Sequence, residues 1–138
     1  MIKRYTNPAM ERIWTDENEF QTMLDIEIYA CECMAELGEI PAEVVPVIKQ
    51  RAKFSVERIR EIERETRHDI LAFLQAVAEN VGEEAKYIHL GLTSSDVKDT
   101  ALGYMMKQAA DIIAQDLEKL RAVLRRRAAE HKHTVMIG

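Results

Sequence analysis

The first sustained hydrophobic pattern in this chain runs through Phe20, Met23, Leu24, Ile28, Cys31, Met34, Ala35 and Leu37, spaced by threes and fours as on one side of a helix. A helix opening near Asp16 carries it. The run Thr15-Asp16-Glu17-Asn18-Glu19 offers a capping side chain followed three residues on by a glutamate able to reach back, and Gly38 with Pro41 supplies the stop. A short helix over residues 42–52 carries Val44, Val45 and Ile48, with Pro46 near enough to its start to be tolerated. Ser55 caps the next helix. That segment, Val56–Thr66, sets only Val56, Ile59 and Ile62 among seven charges, so it reads as a largely solvated face and not as a ligand site. The segment Asp69–Val81 is the reverse: Ile70, Leu71, Phe73, Leu74, Val77, Ala78 and Val81 make too broad an apolar surface for one stripe, which predicts the most buried element, ended by Gly82.

The last pattern is the longest. A helix opening at Ser94 to Asp96 runs to about Glu130 with no proline and no glycine after Gly103. At 1.5 Å per residue this is a rod of roughly 50 Å. A compact chain of this size has a diameter of roughly 35 to 40 Å, so the rod has to protrude. Leu102, Met105, Met106, Ala109, Ile112, Ile113, Leu117, Leu120, Val123 and Leu124 keep an apolar face along it, more than five short elements can cover, which implies a partner surface. The boundary expected from this pattern divides residues 1–94, a helical N-terminal domain, from residues 95–138, the protruding rod and the stretch after it. The apolar stretch Thr134-Val135-Met136-Ile137-Gly138 carries no stop signal, so the chain is expected to end inside a larger protein.

Composition narrows the class. In 138 residues, 47% hydrophobic and 31% charged, there are only 5 glycines and 3 prolines, which argues against an all-β fold and for an all-α one. The formal charge is −5, from 19 basic and 24 acidic residues, with no run of five like charges; nucleic acid is not an expected partner. No apolar stretch approaches membrane-spanning length and the start lacks a secretory apolar core, so a soluble, cytoplasmic protein is expected.

Three places hold candidate chemistry. Thr66-Arg67-His68-Asp69 sets an anion-gripping guanidinium and a group titrating near neutrality at a helix start, where unpaired N–H groups favour negative ligands. The alternative is that Asp69 merely caps and His68 lies idle on the surface. In His89-Leu90-Gly91-Leu92-Thr93-Ser94-Ser95-Asp96, Thr93 and Asp96 suffice as a capping box, which leaves surplus hydroxyls and a glycine as the functional hint. Arg4 and Tyr5 suit a nucleotide phosphate, although basic residues near termini are often idle. Cys31 and Cys33 diverge on their helix, and His131 and His133 share that spacing without metal-motif companions, so no metal is expected. The scattered glycines exclude dinucleotide and Walker loops, and Met105 and Met106 read as packing residues.

Arg4-Tyr5, TRHD at residues 66–69 and HLGLTSSDVKDTAL at residues 89–102 are spaced as in the bacterial-type adenylosuccinate lyases, and TSSDVKDT resembles the first consensus segment of the fumarase and aspartase superfamily. The opening KRYTNPAMERIWTDENEF and the closing EHKHTVMIG are similar too, so the likeness covers the whole chain. It implies β-elimination of adenylosuccinate to AMP and fumarate, and like cleavage of the succinyl-carboxamide ribotide of purine synthesis, without metal or organic cofactor. By resemblance Arg4 and Tyr5 hold the phosphate region, Arg67 and Asp69 the nucleotide, and His89 neighbours the phosphate; Thr93 and Ser94 take the succinyl carboxylates, and His68 assists the acid. The family's principal acid, a histidine in an Arg-Thr-His segment, and its base, a serine on a mobile loop, both lie beyond Gly138. Its sites are built from three subunits of a homotetramer, so this chain alone is expected to be inactive. The rivals are argininosuccinate lyase or a carboxymuconate cycloisomerase, which Arg4-Tyr5 and TRHD disfavour, and a non-catalytic helical oligomerisation module.

Overall fold

A computed structural model describes residues 3–138, and among these every regular element is helical. After a 3-10 turn at Lys3–Tyr5 come α1 (Pro8–Ile13), α2 (Asp16–Glu36), α3 (Val44–Arg51), α4 (Val56–Thr66) and α5 (Asp69–Val81). A second 3-10 turn, Glu83–Tyr87, leads to α6 (Ser94–Glu130). The fold is therefore all-α, as the paucity of turn formers predicts.

Local chemistry sets the boundaries. Asn7 caps α1 by accepting the Ala9 N–H, with Pro8 at the first helical position where no donor is needed. Thr15 caps α2 through the Asn18 N–H, but no glutamate reaches back. Asn18 stands three residues on instead, and its amide donates to the Ile13 carbonyl. Ser55 caps α4 as expected, and Gly82, at φ +87°, ends α5. Leu37, expected on the core face of α2, is exposed, because it follows the last helical residue as the chain turns into Gly38.

One core joins most of the elements. Phe20 of α2 stacks on Phe73 of α5 at 5.7 Å between centroids, and Phe54, ahead of α4, meets both rings edge-on. Ile59 and Ile62 turn α4 inward, while its charges face solvent and tie it to neighbours: Arg58 grips Glu79 of α5 with two hydrogen bonds, and Arg60 reaches Asp16 of α2. Ile70, Ala72, Phe73, Ala76, Val77 and Val81 bury one side of α5, whereas Leu71, read as part of its apolar surface, is 53% exposed. Val97 and Ala101, in the first turns of α6, belong to the same core. Further along, Met105 and Ala109 pack on Ile13 of α1. Beyond that point α6 leaves the body, and Ile113, Leu117, Leu120 and Leu124 are each more than half exposed. Met106 is exposed as well, so of the two methionines read as packing residues only Met105 packs within the chain. No helix among the described residues is long and apolar enough to cross a membrane.

Candidate functional site

The two helix starts singled out by the sequence lie side by side. Asp69, the first residue of α5, directs Oδ2 to the Lys98 ammonium on α6, 2.5 Å away, while Oδ1 accepts the Ile70 N–H. The Lys98 hydrogen bond is the main reason the Asp69 carboxyl is held below its ordinary range, and Lys98 is raised in return. Asp69 is therefore a committed ion-pair partner. The helix cap is its neighbour: His68 accepts the Leu71 N–H at Nδ1, 3.3 Å away, and remains exposed. That bond fixes which ring nitrogen faces the helix and leaves Nε2 toward solvent.

Arg67 ends α4 in the left-handed conformation, φ +55°, its N–H bound to the Glu63 carbonyl. Its guanidinium forms no ion pair among the described residues and lines an open depression with Arg60, Glu63 and Arg64. Arg60 is taken up by Asp16 and Glu63, but Arg64 and Arg67 form no ion pair among the described residues, which makes this rim attractive to an anion.

On the α6 side, Asp96 accepts the Thr93 N–H at 2.8 Å, the carboxylate half of a capping box. The Ser94 and Ser95 hydroxyls form no hydrogen bonds among the described residues, so the surplus inferred from sequence is real. Gly91 has φ +72° and open space around it. The loop bearing His89 borders α5 directly, since Ile88 shares a shallow depression with Thr66 and Leu71.

His89 is only partly accessible. Its Nδ1 lies 2.6 Å from Oε1 of Glu27 and its backbone N–H donates to Oε2 at 2.9 Å. Sequence reasoning missed Glu27. Its signal was an acidic residue inside the apolar stripe of α2, between Leu24 and Cys31. Burial raises the Glu27 carboxyl above its ordinary value although the His89 bonds pull it down. Burial and the Glu27 charge push the neighbouring Cys31 thiol up to about 11, which makes it an inert core group, whereas Cys33 is exposed. Lys98 was also missed as a participant; it stood inside TSSDVKDT without an assigned partner.

Arg4 and Tyr5 are not joined to these groups. The Arg4 guanidinium lies over the Tyr5 ring, 4.8 Å from its centroid, and Tyr5 lines a groove with Met10 and Trp14. The adjoining α1 packs where Met105 and Ala109 stand, roughly 17 to 22 Å along α6 from Ser94 at helical rise. Among the described residues no three His, Cys, Asp or Glu side chains converge as metal ligands would.

Known proteins resemble this chain in sequence and in fold. The chain is 56% identical over all 138 residues to an adenylosuccinate lyase of Bacillus subtilis (strain 168), and 51% identical to those of Streptococcus mutans and Staphylococcus saprophyticus. It spans about a third of the length of these curated relatives, 32% in each case. Among solved structures it is similar to a fumarate lyase from Mesorhizobium sp. BNC1, at TM-score 0.86 and 25% identity over 94% of this chain and 31% of that one. A 3-carboxy-cis,cis-muconate lactonizing enzyme from Pseudomonas putida matches at TM-score 0.87 and 28% identity, over 97% and 32% of the two chains. The family described as "Lyase" matches residues 3–138, all but the first two positions, and this chain belongs to it.

Proposed function

We propose that this chain is the N-terminal portion of an adenylosuccinate lyase, contributing its nucleotide- and carboxylate-binding rim. The Asp69–Lys98 ion pair carries the reading, because it sets the starts of α5 and α6 together with His68, Arg67 and Ser94 around them. Among the described residues the α6 start leaves the Ser94 and Ser95 N–H groups free for a negatively charged ligand, whereas at the α5 start Asp69 and His68 already take the Ile70 and Leu71 N–H groups. Identity above 50% to three named adenylosuccinate lyases supports the substrate over the muconate and argininosuccinate alternatives.

In the reaction a base removes the proton from the succinyl carbon beside a carboxylate, the carbon–nitrogen bond breaks, and an acid protonates the departing nitrogen to give AMP and fumarate. Thr93 and Ser94 hold carboxylate oxygens through hydroxyls and helix-start amides as charge builds on them. Arg67 pairs with the nucleotide, Asp69 orients it from its bond to Lys98, and His89 faces the phosphate. His68 keeps Nδ1 on the Leu71 N–H, so Nε2 is the nitrogen that exchanges a proton with the acid. Arg4 and Tyr5 approach the phosphate from another subunit of a cytoplasmic homotetramer, whose core is started by residues 95–138. The succinyl-carboxamide ribotide is cleaved at the same site, without metal or cofactor.

The test is fumarate release from adenylosuccinate by a polypeptide of the relatives' full length. Release is expected there and not from residues 1–138 alone. Equal or greater activity on argininosuccinate or a carboxymuconate would overturn the assignment.

A further inference from the structure

Glu27 is 1% exposed on the core side of α2. Carboxylates are seldom sealed off in this way, because losing water disfavours the charge unless partners replace it. Here the replacement comes from a single residue: both Glu27 oxygens bind His89, one at the ring and one at the backbone. His89 has φ +63°, a backbone state that a β-carbon disfavours, and its carbonyl accepts the Leu92 N–H as the chain turns toward Thr93. The other ring nitrogen, Nε2, has no partner among the described residues, and the side chain is 18% exposed.

A carboxylate at Nδ1 orients an imidazole and decides which nitrogen carries the proton. We infer that Glu27 is a positioning residue of the proposed lyase site: it holds His89 with Nδ1–H toward the core and Nε2 toward the anionic group of the nucleotide substrate. The inference rests on the substrate reading above for its ligand and on Glu27–His89 geometry for its mechanism. When Nε2 also holds a proton for an anion, Glu27 is the counter-charge on the far side of the ring. Among the described residues the Cys31 thiol also faces Glu27, one turn along α2 and itself directed to the Tyr87 carbonyl. A glutamine at position 27 keeps the shape but not the charge, so it separates positioning from packing.

Nitrogen NMR of the His89 ring in this chain is expected to show protonated Nδ1 at neutral pH, and Glu27→Gln is expected to move the proton to Nε2. Ring shifts that ignore the substitution would overturn the inference. In the full-length enzyme, Glu27→Gln is expected to raise KM for adenylosuccinate about tenfold or more, the loss typical of a charged hydrogen bond. In a His89→Asn background it should change nothing further; additive losses would mean a structural role alone and sink the proposal. Glu27→Asp, which retains the charge, takes the place of Glu27→Gln if melting curves show that variant unfolded, and is expected to lose less and only when His89 is present. The ring shifts need no substrate, so a parent enzyme that releases no fumarate counts against the substrate reading alone.

Discussion

Asp69 and Lys98 join the first residue of α5 to the second turn of α6 by a 2.5 Å ion pair. Two helix N-termini side by side present like partial charges of about +0.5 each, an arrangement that repels unless an anion lies between. Asp69 is a built-in anion at that junction. A bound carboxylate or phosphate would extend the same compensation outward, which is why we propose a part for the pair in binding as well as in the fold.

Replacing Lys98 with methionine should therefore cost little stability and more binding. Both partners are nearly half exposed, which limits the pair to about 1 kcal/mol, a drop of about 3 to 5 °C in melting temperature for a chain of this size. Calorimetry at low and high salt is expected to show the difference shrinking as salt rises. A loss several times larger, insensitive to salt, would mean that Lys98 supports packing.

Two buried or paired carboxyls give opposite pH signatures. Lys98 holds Asp69 below its ordinary 3.8, so its contribution is present above 3.8 and is lost as pH falls through the folded value; Asp69→Asn should flatten that acid limb. Glu27 is raised above 4.5, mainly by burial, so the folded state binds its proton more tightly and stability declines as pH rises from 4.5 through the folded value. Glu27→Gln removes that decline. Relative to the parent, the variant should gain stability across that window in urea titrations at a series of pH values. A constant difference at every pH would show that Glu27 titrates as an ordinary surface group.

The helices were legible where periodic stripes met explicit caps, as in α2, α4 and α6, while α5 was legible from its broad apolar surface. The short α1 and the 3-10 turn at Glu83–Tyr87 were not, because neither is long enough to show a period. At the site, Asp96 could be read as a cap because its partner is local, three residues away. Asp69–Lys98 and Glu27–His89 are 29 and 62 residues apart in sequence, and nothing local encodes such pairs. Glu27 still left a trace as a charge on the core face of α2. The capping role of His68 left none, since a histidine rarely takes a position that serine, threonine or aspartate fills. No contact within the described chain joins Arg4 and Tyr5 to the rim, so their role rests on likeness to relatives.

The aromatic trio sets the largest single-residue cost. Phe73 is fully buried between Phe20 and Phe54, and Phe73→Ala removes both ring contacts and opens a cavity that the surrounding isoleucines cannot fill. The expected loss is about 3 to 5 kcal/mol by denaturant unfolding. A loss under 1 kcal/mol would show the core to be loosely packed there.

The protruding part of α6 carries a seam. Ile113, Leu117, Leu120 and Leu124 follow one another at spacings of four, three and four, all exposed, which is the repeat of helices that pack along their length. Sedimentation should detect concentration-dependent self-association of this chain. The double substitution Leu117→Glu with Leu124→Glu should abolish it without loss of helicity, because neither side chain supports the core. A parent chain that stays monomeric at high concentration would leave this seam without a role in assembly.

Arg67 separates stability from binding most cleanly. It ends α4 at φ +55°, ψ +27°, a position glycine usually takes because a β-carbon is disfavoured there. Its side chain forms no ion pair that would offset the strain. Arg67→Gly should therefore unfold no more easily than the parent, and up to about 1 kcal/mol less easily. The same variant loses the guanidinium proposed to grip the nucleotide, and Arg67→Ala loses it while keeping a β-carbon. Titration calorimetry with AMP on the full-length enzyme should show both weakened by about 1.5 to 3 kcal/mol, as expected when a charged hydrogen bond is lost. Unchanged AMP affinity in both would remove Arg67 from the site, and weakening only in Arg67→Gly would assign the loss to the helix end instead of the charge.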